Sequence, residues 1–180
     1  MRYDIQCMSI GFLTDEKTPM VWRGPMVTSA IKTFAQTVNW KDLDFIIVDM
    51  PPGTGDTQLT FSQGIEINGA IIVSTPQEVA LLDVKRGIKM FDKLGVKILG
   101  LIDNMSSFTG DDGKKYAIFG EGGVKRTAEE FNKKFLAEIP INPEVGKSGD
   151  QGKPIVESNP ENEISQIYLD LAKKIKSIYL

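Results

Sequence analysis

The chain has 180 residues, of which 41% are hydrophobic and 25% are charged, and its formal net charge is -3. This length is enough for one domain with a buried core, so we predict a single domain over residues 1–180. A slightly acidic chain lacks the basic surface that nucleic acids require. The composition therefore excludes a typical nucleic-acid-binding protein and is that of an ordinary globular domain.

The sequence contains one cysteine, Cys7, and no histidine. A single cysteine cannot form a disulfide within the chain, and the usual ligands of soft metals are solitary or absent. Because Cys7 lies in the apolar stretch IQCMSIGF, we interpret it as a buried thiol. No apolar run approaches the ~20 residues of a membrane span, and no secretory signal opens the chain. We therefore expect a cytoplasmic protein without membrane contact.

The first predicted helix opens at Pro25, because proline is well tolerated in the first turn of a helix. Its apolar positions recur at helical spacing and share one face. These positions are Val27, Ile31, Phe34 and Val38. The pattern predicts an amphipathic helix that follows the motif WRGP.

Four apolar runs have the length of β-strands, and they are residues 44–49, 69–74, 97–102 and 135–139. Their apolar residues run together instead of alternating with polar ones, as in strands that are covered on both faces. Longer amphipathic stretches separate the runs, which is typical of repeated strand–helix–strand units. The predicted fold class is therefore α/β, a mostly parallel sheet with helices on both faces.

A second helix is predicted over residues 78–94. The motif TPQE at residues 75–78 has the form of a capping box, and Gly95 supplies a left-handed stop. Leu81, Val84, Ile88 and Phe91 form its apolar stripe. This punctuation predicts both ends of the helix.

Two glycine-rich polar segments follow later strands. Residues 104–123 predict an exposed loop or a turn-linked hairpin, and residues 142–154 predict another such loop. A last helix begins at Asn159-Pro160, and its lysine-rich end leaves two interpretations, a membrane-surface helix or, as we favour, core packing. Loops that leave the carboxyl ends of parallel strands surround the ligand crevice of an open sheet, so we expect the chemistry there.

The stretch DFIIVDMPPGTGD places Asp49 at the end of an apolar run, before two prolines and the residues Gly53-Thr54-Gly55. Glycines allow backbone N–H groups to converge on an anion. A carboxylate beside bound phosphate requires an intervening cation, and water-bound Mg²⁺ is the usual one. The alternative is that Asp49 caps the next segment. The glycine-rich sequence favours a magnesium–phosphate site of the Walker B type.

Further motifs extend this pattern over residues 8–154. They are SIGFL, WRGPM, STPQEVALLDV, MFDKLGVKILGLIDNMSSF, IFGEGG, IPINPEV and GDQGKP. In order and spacing they resemble the Mrp/ApbC family, whose members are P-loop ATPases of the MinD/ParA superfamily that carry iron–sulfur clusters to apoproteins. The resemblance implies ATP and Mg²⁺ as ligands and a homodimer as the working form.

The resemblance also implies roles for individual residues. Asp49 corresponds to the catalytic Walker B aspartate that holds Mg²⁺ through water, and Asn104 to the asparagine that reads the adenine edge. For Asn104 the alternative is a turn residue at the end of a strand. The switch loop near the terminal phosphate corresponds to Gly53, Thr54, Gly55 and Asp56, and the base pocket to Pro140 and Ile141.

The chain departs from the family pattern at two places. No G-x-x-x-x-G-K-[ST] phosphate-binding loop is present, because segments such as GEGGVKRT do not fit it. Met1 falls where the family's middle begins, so we expect a carboxyl-terminal part whose fold lacks the amino-terminal strands and exposes the edge of FIIVD. Hydrolysis of ATP by this chain alone is therefore not expected.

The second departure concerns the loop that carries a C-x-x-C pair in many members of the family. Here the loop reads SSFTGDDGKKY, with Thr109, Gly110, Asp111 and Asp112 at the place of the thiolates. Carboxylates are poor ligands for iron–sulfur clusters. We interpret DDG as a solvated turn in preference to a calcium site.

The main hypothesis is an ATP-dependent factor in iron–sulfur cluster assembly that serves apoprotein clients. One alternative is an ATP-dependent positioning or assembly protein that carries no cluster, as the cysteine-free loop suggests. The other alternative is a fragment without independent activity.

Overall fold

The computed structural model describes residues 3–12, 24–50, 59, 62 and 64–179. The chain divides into two compact units, Met1–Ile67 and Asn68–Leu180. Each unit has its own elements. The prediction of a single domain over the whole length stays a prediction.

The first unit contains a short 3-10 helix, Ile10–Phe12, and helix α1, Gly24–Gln36. Helix α1 confirms the helix predicted to open at Pro25. Past its end, the Trp40 indole Nε1 donates a hydrogen bond to the Phe34 carbonyl at 2.8 Å. Cys7 is exposed, so its interpretation as a buried thiol is wrong.

The strand predicted at residues 44–49 is not formed. Residues 41–50 have neither helical nor strand conformation, and the apolar side chains of FIIV are exposed, with Ile47 at 93%. An apolar run becomes a strand only where it joins a hydrogen-bonded ladder and packs against a covering layer. The four strands of the sheet, all in the second unit, do not include this run.

The second unit is built on three parallel strands. They are β1, Ala70–Ser74, β2, Ile98–Thr109, and β4, Phe135–Ile141, with β2 between the other two. A short strand β3, Lys115–Tyr116, pairs antiparallel with the far end of β2. These strands confirm the three later strand predictions and the mostly parallel sheet. They also confirm the turn-linked hairpin, because β2 extends beyond its predicted end into residues 104–109.

Five helices accompany the sheet. They are α2, Glu78–Lys93, α3, Gly123–Glu130, α4, Pro143–Asp150, α5, Ile155–Ser158, and α6, Glu163–Tyr179. Helix α2 confirms the prediction for residues 78–94. Helix α4 contradicts the loop predicted at residues 142–154, because Asn142 caps the helix and Pro143 occupies its first turn despite the glycines that follow.

The predicted capping box at Thr75–Glu78 is wrong. The residue that precedes helix α2 is Gln77, and its side chain makes no capping hydrogen bond. The helix begins only at Glu78, so the Thr75 hydroxyl lies too early in the chain to cap its amides. The predicted stop is confirmed, since Gly95 adopts a left-handed φ of 70°.

The sheet has a core on each face. Successive residues of β2 point to opposite faces, so Leu101 joins the core under α2 and α3, and Ile102 joins the core under α6. The first core contains Leu81, Val84, Ile88, Leu101, Val124 and Ala128, and the second contains Ile102, Leu136, Ile139, Ile155 and Ile164. Helices therefore cover both faces, as predicted.

Helix α6 packs on the sheet through its apolar side. Ile164 is buried, and Ile167, Leu171 and Ile175 pack against the second core. This confirms core packing as its role. Across the described ranges of the chain, none of the helices has both the length and the apolar character that crossing a bilayer demands.

Candidate functional site

The candidate site lies at the carboxyl ends of β2 and β4. Asn104 of β2 is in register with Ile139 of β4, and Phe108 is in register with Ile141. Between these two pairs the register shifts, and Met105 adopts a left-handed φ of 58°. Irregularities of this kind are frequent beside functional sites, because they redirect the chain out of the sheet. Here the shift turns the end of β2 into the β2–β3 hairpin.

A cavity of about 220 Å³ opens at this edge of the sheet. Its apolar lining comes from Phe108, Pro140, Ile141, Pro143 and Ile164. It is smaller than the roughly 300–1,000 Å³ of sites that enclose a whole drug-sized ligand. A flat ring system that forms one end of a larger ligand suits a cavity of this size and lining.

Polar side chains complete the lining of the cavity. They are Thr109, Lys115, Asn142 and Glu163. The Asn142 carboxamide oxygen is used, because it accepts a hydrogen bond from the Glu144 backbone N–H at 2.8 Å. In the described part of the chain, the Lys115 ammonium and the Glu163 carboxylate make no hydrogen bond or ion pair. Each is therefore available to a ligand.

Asn104 is half-buried, and its partner in the sheet is Ile139, the residue before Pro140. Its carboxamide makes no hydrogen bond to any residue that the structure describes. A carboxamide carries both donors and an acceptor, so it can pair with a heterocycle that presents both. Of the predicted site residues, Pro140 and Ile141 thus line the cavity, and Asn104 lies on the adjacent strand outside its lining.

The residues predicted to bind phosphate and magnesium precede the second unit in the chain. Asp49 belongs to the first unit, where it is exposed and follows the run that does not form a strand. Gly53, Thr54, Gly55 and Asp56 lie outside the described residues. Their assignments stay predictions from the sequence.

Sequence reasoning missed Asp103, the residue before Asn104. Its side chain is 1% exposed, and Oδ1 has no hydrogen-bond partner in the described structure. Burial, with a smaller contribution from the charge of Glu138, raises the pKa of Asp103 from 3.8 to about 6. Its position in the apolar run ILGLID was the signal that this carboxylate enters the interior.

The turn of the β2–β3 hairpin is organised by Asp112. This carboxylate accepts hydrogen bonds from the Lys114 backbone N–H at 3.0 Å and from the Tyr116 hydroxyl at 2.9 Å. These bonds, that of Lys114 foremost, hold the pKa of Asp112 below its usual value. The predicted solvated turn is confirmed. Within the described ranges, no three histidine, cysteine, aspartate or glutamate side chains come together as metal ligands.

A second, larger cavity of about 330 Å³ lies at the opposite end of the sheet, where β2 begins at Ile98. Its wall includes Lys133 and Asp92, whose side chains already form an ion pair at 2.7 Å. None of the predicted site residues lines it. Parallel sheets bind ligands at the carboxyl ends of their strands, so the smaller cavity is the better candidate.

A parallel sheet between two helical layers, with polar groups at its carboxyl edge, defines the open α/β class of fold, which binds ligands at the carboxyl ends of its strands. Solved structures agree. A nucleotide-binding protein from Archaeoglobus fulgidus, in complex with ADP, has a TM-score of 0.66 and 35% identity over 77% of this chain and 56% of its own. The cell division ATPase MinD of Pyrococcus furiosus, at 22% identity, shares the fold with a TM-score of 0.62, over 87% of this chain and 59% of its own.

The chain also matches the ParA family model, described as NUBPL iron-transfer P-loop NTPase, over residues 1–176. It belongs to this family. The resemblance found in the motifs and the predicted fold class are thereby confirmed.

Relatives within the family carry names related to iron–sulfur chemistry. An Arabidopsis thaliana protein, named iron-sulfur protein required for NADH dehydrogenase, mitochondrial, is 48% identical over 96% of this chain and 56% of its own length. An Aquifex aeolicus iron-sulfur cluster carrier protein is 44% identical over 98% and 49%. The mouse iron-sulfur cluster transfer protein NUBPL is 45% identical over 97% and 55%. The chain spans about half the length of these relatives.

Proposed function

We propose that this chain binds the base of an adenine nucleotide at the cavity between β2, β4 and α6, as part of an ATP-dependent iron–sulfur cluster carrier. The observation that carries the proposal is the carboxamide of Asn104, without a hydrogen bond to any described residue, on the strand next to Pro140 and Ile141 of the cavity lining. Apolar residues stack on the faces of a purine, and a carboxamide pairs with the donor and acceptor on its edge.

The phosphates are assigned by sequence and family. We infer that Asp49 would hold Mg²⁺ through a bound water molecule and that Gly53 to Asp56 would contact the terminal phosphate. When bound, Mg²⁺ neutralises phosphate charge that a lone carboxylate would repel. For a protein of the length of its relatives, we propose that ATP hydrolysis drives transfer of the cluster to apoprotein clients and that the working form is a cytoplasmic homodimer.

The cluster is the cargo of such a carrier and needs thiolate ligands. The chain has one cysteine, and the Asp112 carboxylate in the hairpin turn is already hydrogen-bonded to Lys114 and Tyr116. The hairpin of this chain therefore does not fit the cluster. This favours the second candidate function, an ATP-dependent positioning or assembly protein without a cluster.

Nucleotide titration tests the base site. We expect the chain to bind ADP in the presence of Mg²⁺, and Asn104→Ala to weaken binding by about tenfold or more, because a buried hydrogen bond to the base is lost. The matched control is Asn39→Ala, the same change at an exposed asparagine of the first unit. Absence of binding by the unaltered chain would refute the nucleotide proposal and favour a fragment without independent activity.

Anaerobic reconstitution with iron and sulfide separates the two candidate functions. A broad visible absorption band that remains with the protein after gel filtration supports a carrier. A protein that binds ADP but gains no such band supports the positioning or assembly function.

A further inference from the structure

One carboxylate in the lining of the base cavity has no protein partner. Glu163 opens helix α6, where it is exposed to solvent and belongs to the cavity lining, and its carboxylate makes no hydrogen bond or ion pair to any described residue. Lys115, the other charged group of the lining, forms no ion pair with it in the described structure. A carboxylate here meets any ligand with its full acceptor capacity.

The backbone on both sides of Glu163 is fixed. On one side, Asn162 Nδ2 donates to Glu144 Oε2 at 3.0 Å, while Asn162 Oδ1 accepts from the Ile164 N–H at 2.9 Å. On the other side, Ile164 is 2% exposed in the second core.

Glu144 also connects the residues around Glu163 to Asn142, which lines the same cavity. Its backbone N–H donates to Asn142 Oδ1, and its carboxylate accepts from Asn162 Nδ2. The start of α4 and the start of α6 are thus joined through one residue. Asn142 and Glu163 both line the cavity, so this connection fixes the backbone of Glu163 relative to the residues after β4.

An ionised carboxylate accepts hydrogen bonds and donates none. Adenine presents an exocyclic amino group at the ring position where hypoxanthine presents a carbonyl oxygen. The amino group can donate to a carboxylate, whereas the carbonyl oxygen is repelled by it. A site with such an acceptor discriminates by attraction for one base and by repulsion of the other.

We propose that Glu163 is a specificity-determining residue of this cavity, which accepts a hydrogen bond from the exocyclic amino group of adenine and disfavours bases with a carbonyl there. This inference rests on the proposed nucleotide site. The ordinary role of an acidic residue in the first turn is to stabilise the helix amino terminus. That role affects stability and leaves base preference unchanged, so the two are separable.

Calorimetric titration of the full chain with ADP and with IDP, both with Mg²⁺, tests the inference. We expect the unaltered chain to bind ADP about tenfold more tightly than IDP. Glu163→Gln is expected to bring the two affinities within about threefold, because a carboxamide can donate to the carbonyl of hypoxanthine. Glu163→Ala is expected to weaken ADP binding and to leave IDP binding the same or tighter, because both attraction and repulsion are removed.

Glu161→Gln is the matched control, since Glu161 is exposed just before helix α6 and is not part of the cavity lining. It should keep the unaltered preference. Thermal melts of the variants report any helix-terminus effect separately. If the chain binds ADP but Glu163→Gln keeps the full preference, or if the unaltered chain has none, the role of Glu163 is overturned while the nucleotide site stands. If the chain binds neither nucleotide, the proposed function fails, and this inference fails with it.

Discussion

Two apolar runs of nearly the same composition have different structures in the two units. DFIIVD, residues 44–49, forms no strand and exposes its apolar side chains, whereas GAIIVS, residues 69–74, contains β1. Strand β1 pairs along its length with β2, and Ile72 packs against the core under α2 and α3. The comparison shows that partners in the surrounding sheet, and not apolar composition, decide whether such a run becomes a strand.

The contrast extends to burial. None of the described residues of the first unit is buried, while the second unit contains two cores of buried aliphatic side chains. Hydrophobic burial is the main favourable term in folding, so most of the stability resides in the second unit.

Amide hydrogen exchange gives the largest expected difference between the two units. We expect the amides of Ile46, Ile47 and Val48 to exchange about a thousandfold or more faster than those of Leu101 and Ile102. The latter sit in the central strand, and they open only with the whole sheet. Mass spectrometry of peptic fragments, or NMR, measures this ratio. Equal protection would mean that residues 44–49 belong to the folded sheet after all.

Truncation of one isoleucine in each unit tests, through the free energy of unfolding, whether the stability resides in the second unit. Ile88→Ala, at a position with 0% exposure, should cost about 3–4 kcal/mol in the free energy of unfolding. Ile47→Ala, at 93% exposure, should cost less than about 0.5 kcal/mol. Urea unfolding curves of both variants provide the measurement, and comparable losses would contradict the assignment of the stable core.

Asp103 of the second unit and Asp49 of the first unit each end an apolar run, but Asp103 is buried and Asp49 is exposed. The pKa of Asp103 is raised from 3.8 to about 6, so the folded chain binds its proton more tightly than the unfolded chain does. This contribution to stability is complete below pH 3.8 and is lost as the pH rises through about 6, in total about 2–3 kcal/mol.

Asp103→Asn should remove this loss between about pH 4.5 and pH 8 in urea unfolding experiments, because this range spans the pKa of Asp103 at about 6. The control, Asp49→Asn at an exposed carboxylate of the first unit, should stay within about 0.5 kcal/mol of the unaltered chain throughout. If Asp103→Asn and the unaltered chain show the same pH dependence, Asp103 is not the buried titrating group.

Helix caps within the second unit give the smallest expected effect. Asn142→Ala removes the acceptor of the Glu144 N–H at the start of α4 and should cost about 1 kcal/mol. Gln77→Ala, at the cap of α2, should cost less than about 0.5 kcal/mol, because its side chain makes no capping bond. Thermal melts compare the two, and a larger loss for Gln77→Ala would show that capping does not determine these helix ends.

Much of the second unit was predictable from the sequence. The stripe of Leu81, Val84 and Ile88 with Gly95 behind it specified helix α2, because helical periodicity and a left-handed glycine are local properties. The apolar run around Leu101 specified β2 in the same way. The motifs also pointed to Asn104, Pro140 and Ile141 as neighbours at one edge, since parallel strands bring their carboxyl ends together.

Other features depended on residues far apart in the chain. The sequence alone determined the α/β class, the strands of the second unit and the family, because these follow from local periodicity and from motifs in order. Only the tertiary structure decided that FIIV stays exposed, that Asp103 is buried, and that Glu163 of α6 shares a cavity with Pro140 and Lys115. Burial and cavity lining arise from the packing of segments distant in sequence, and no local pattern specifies which segments meet.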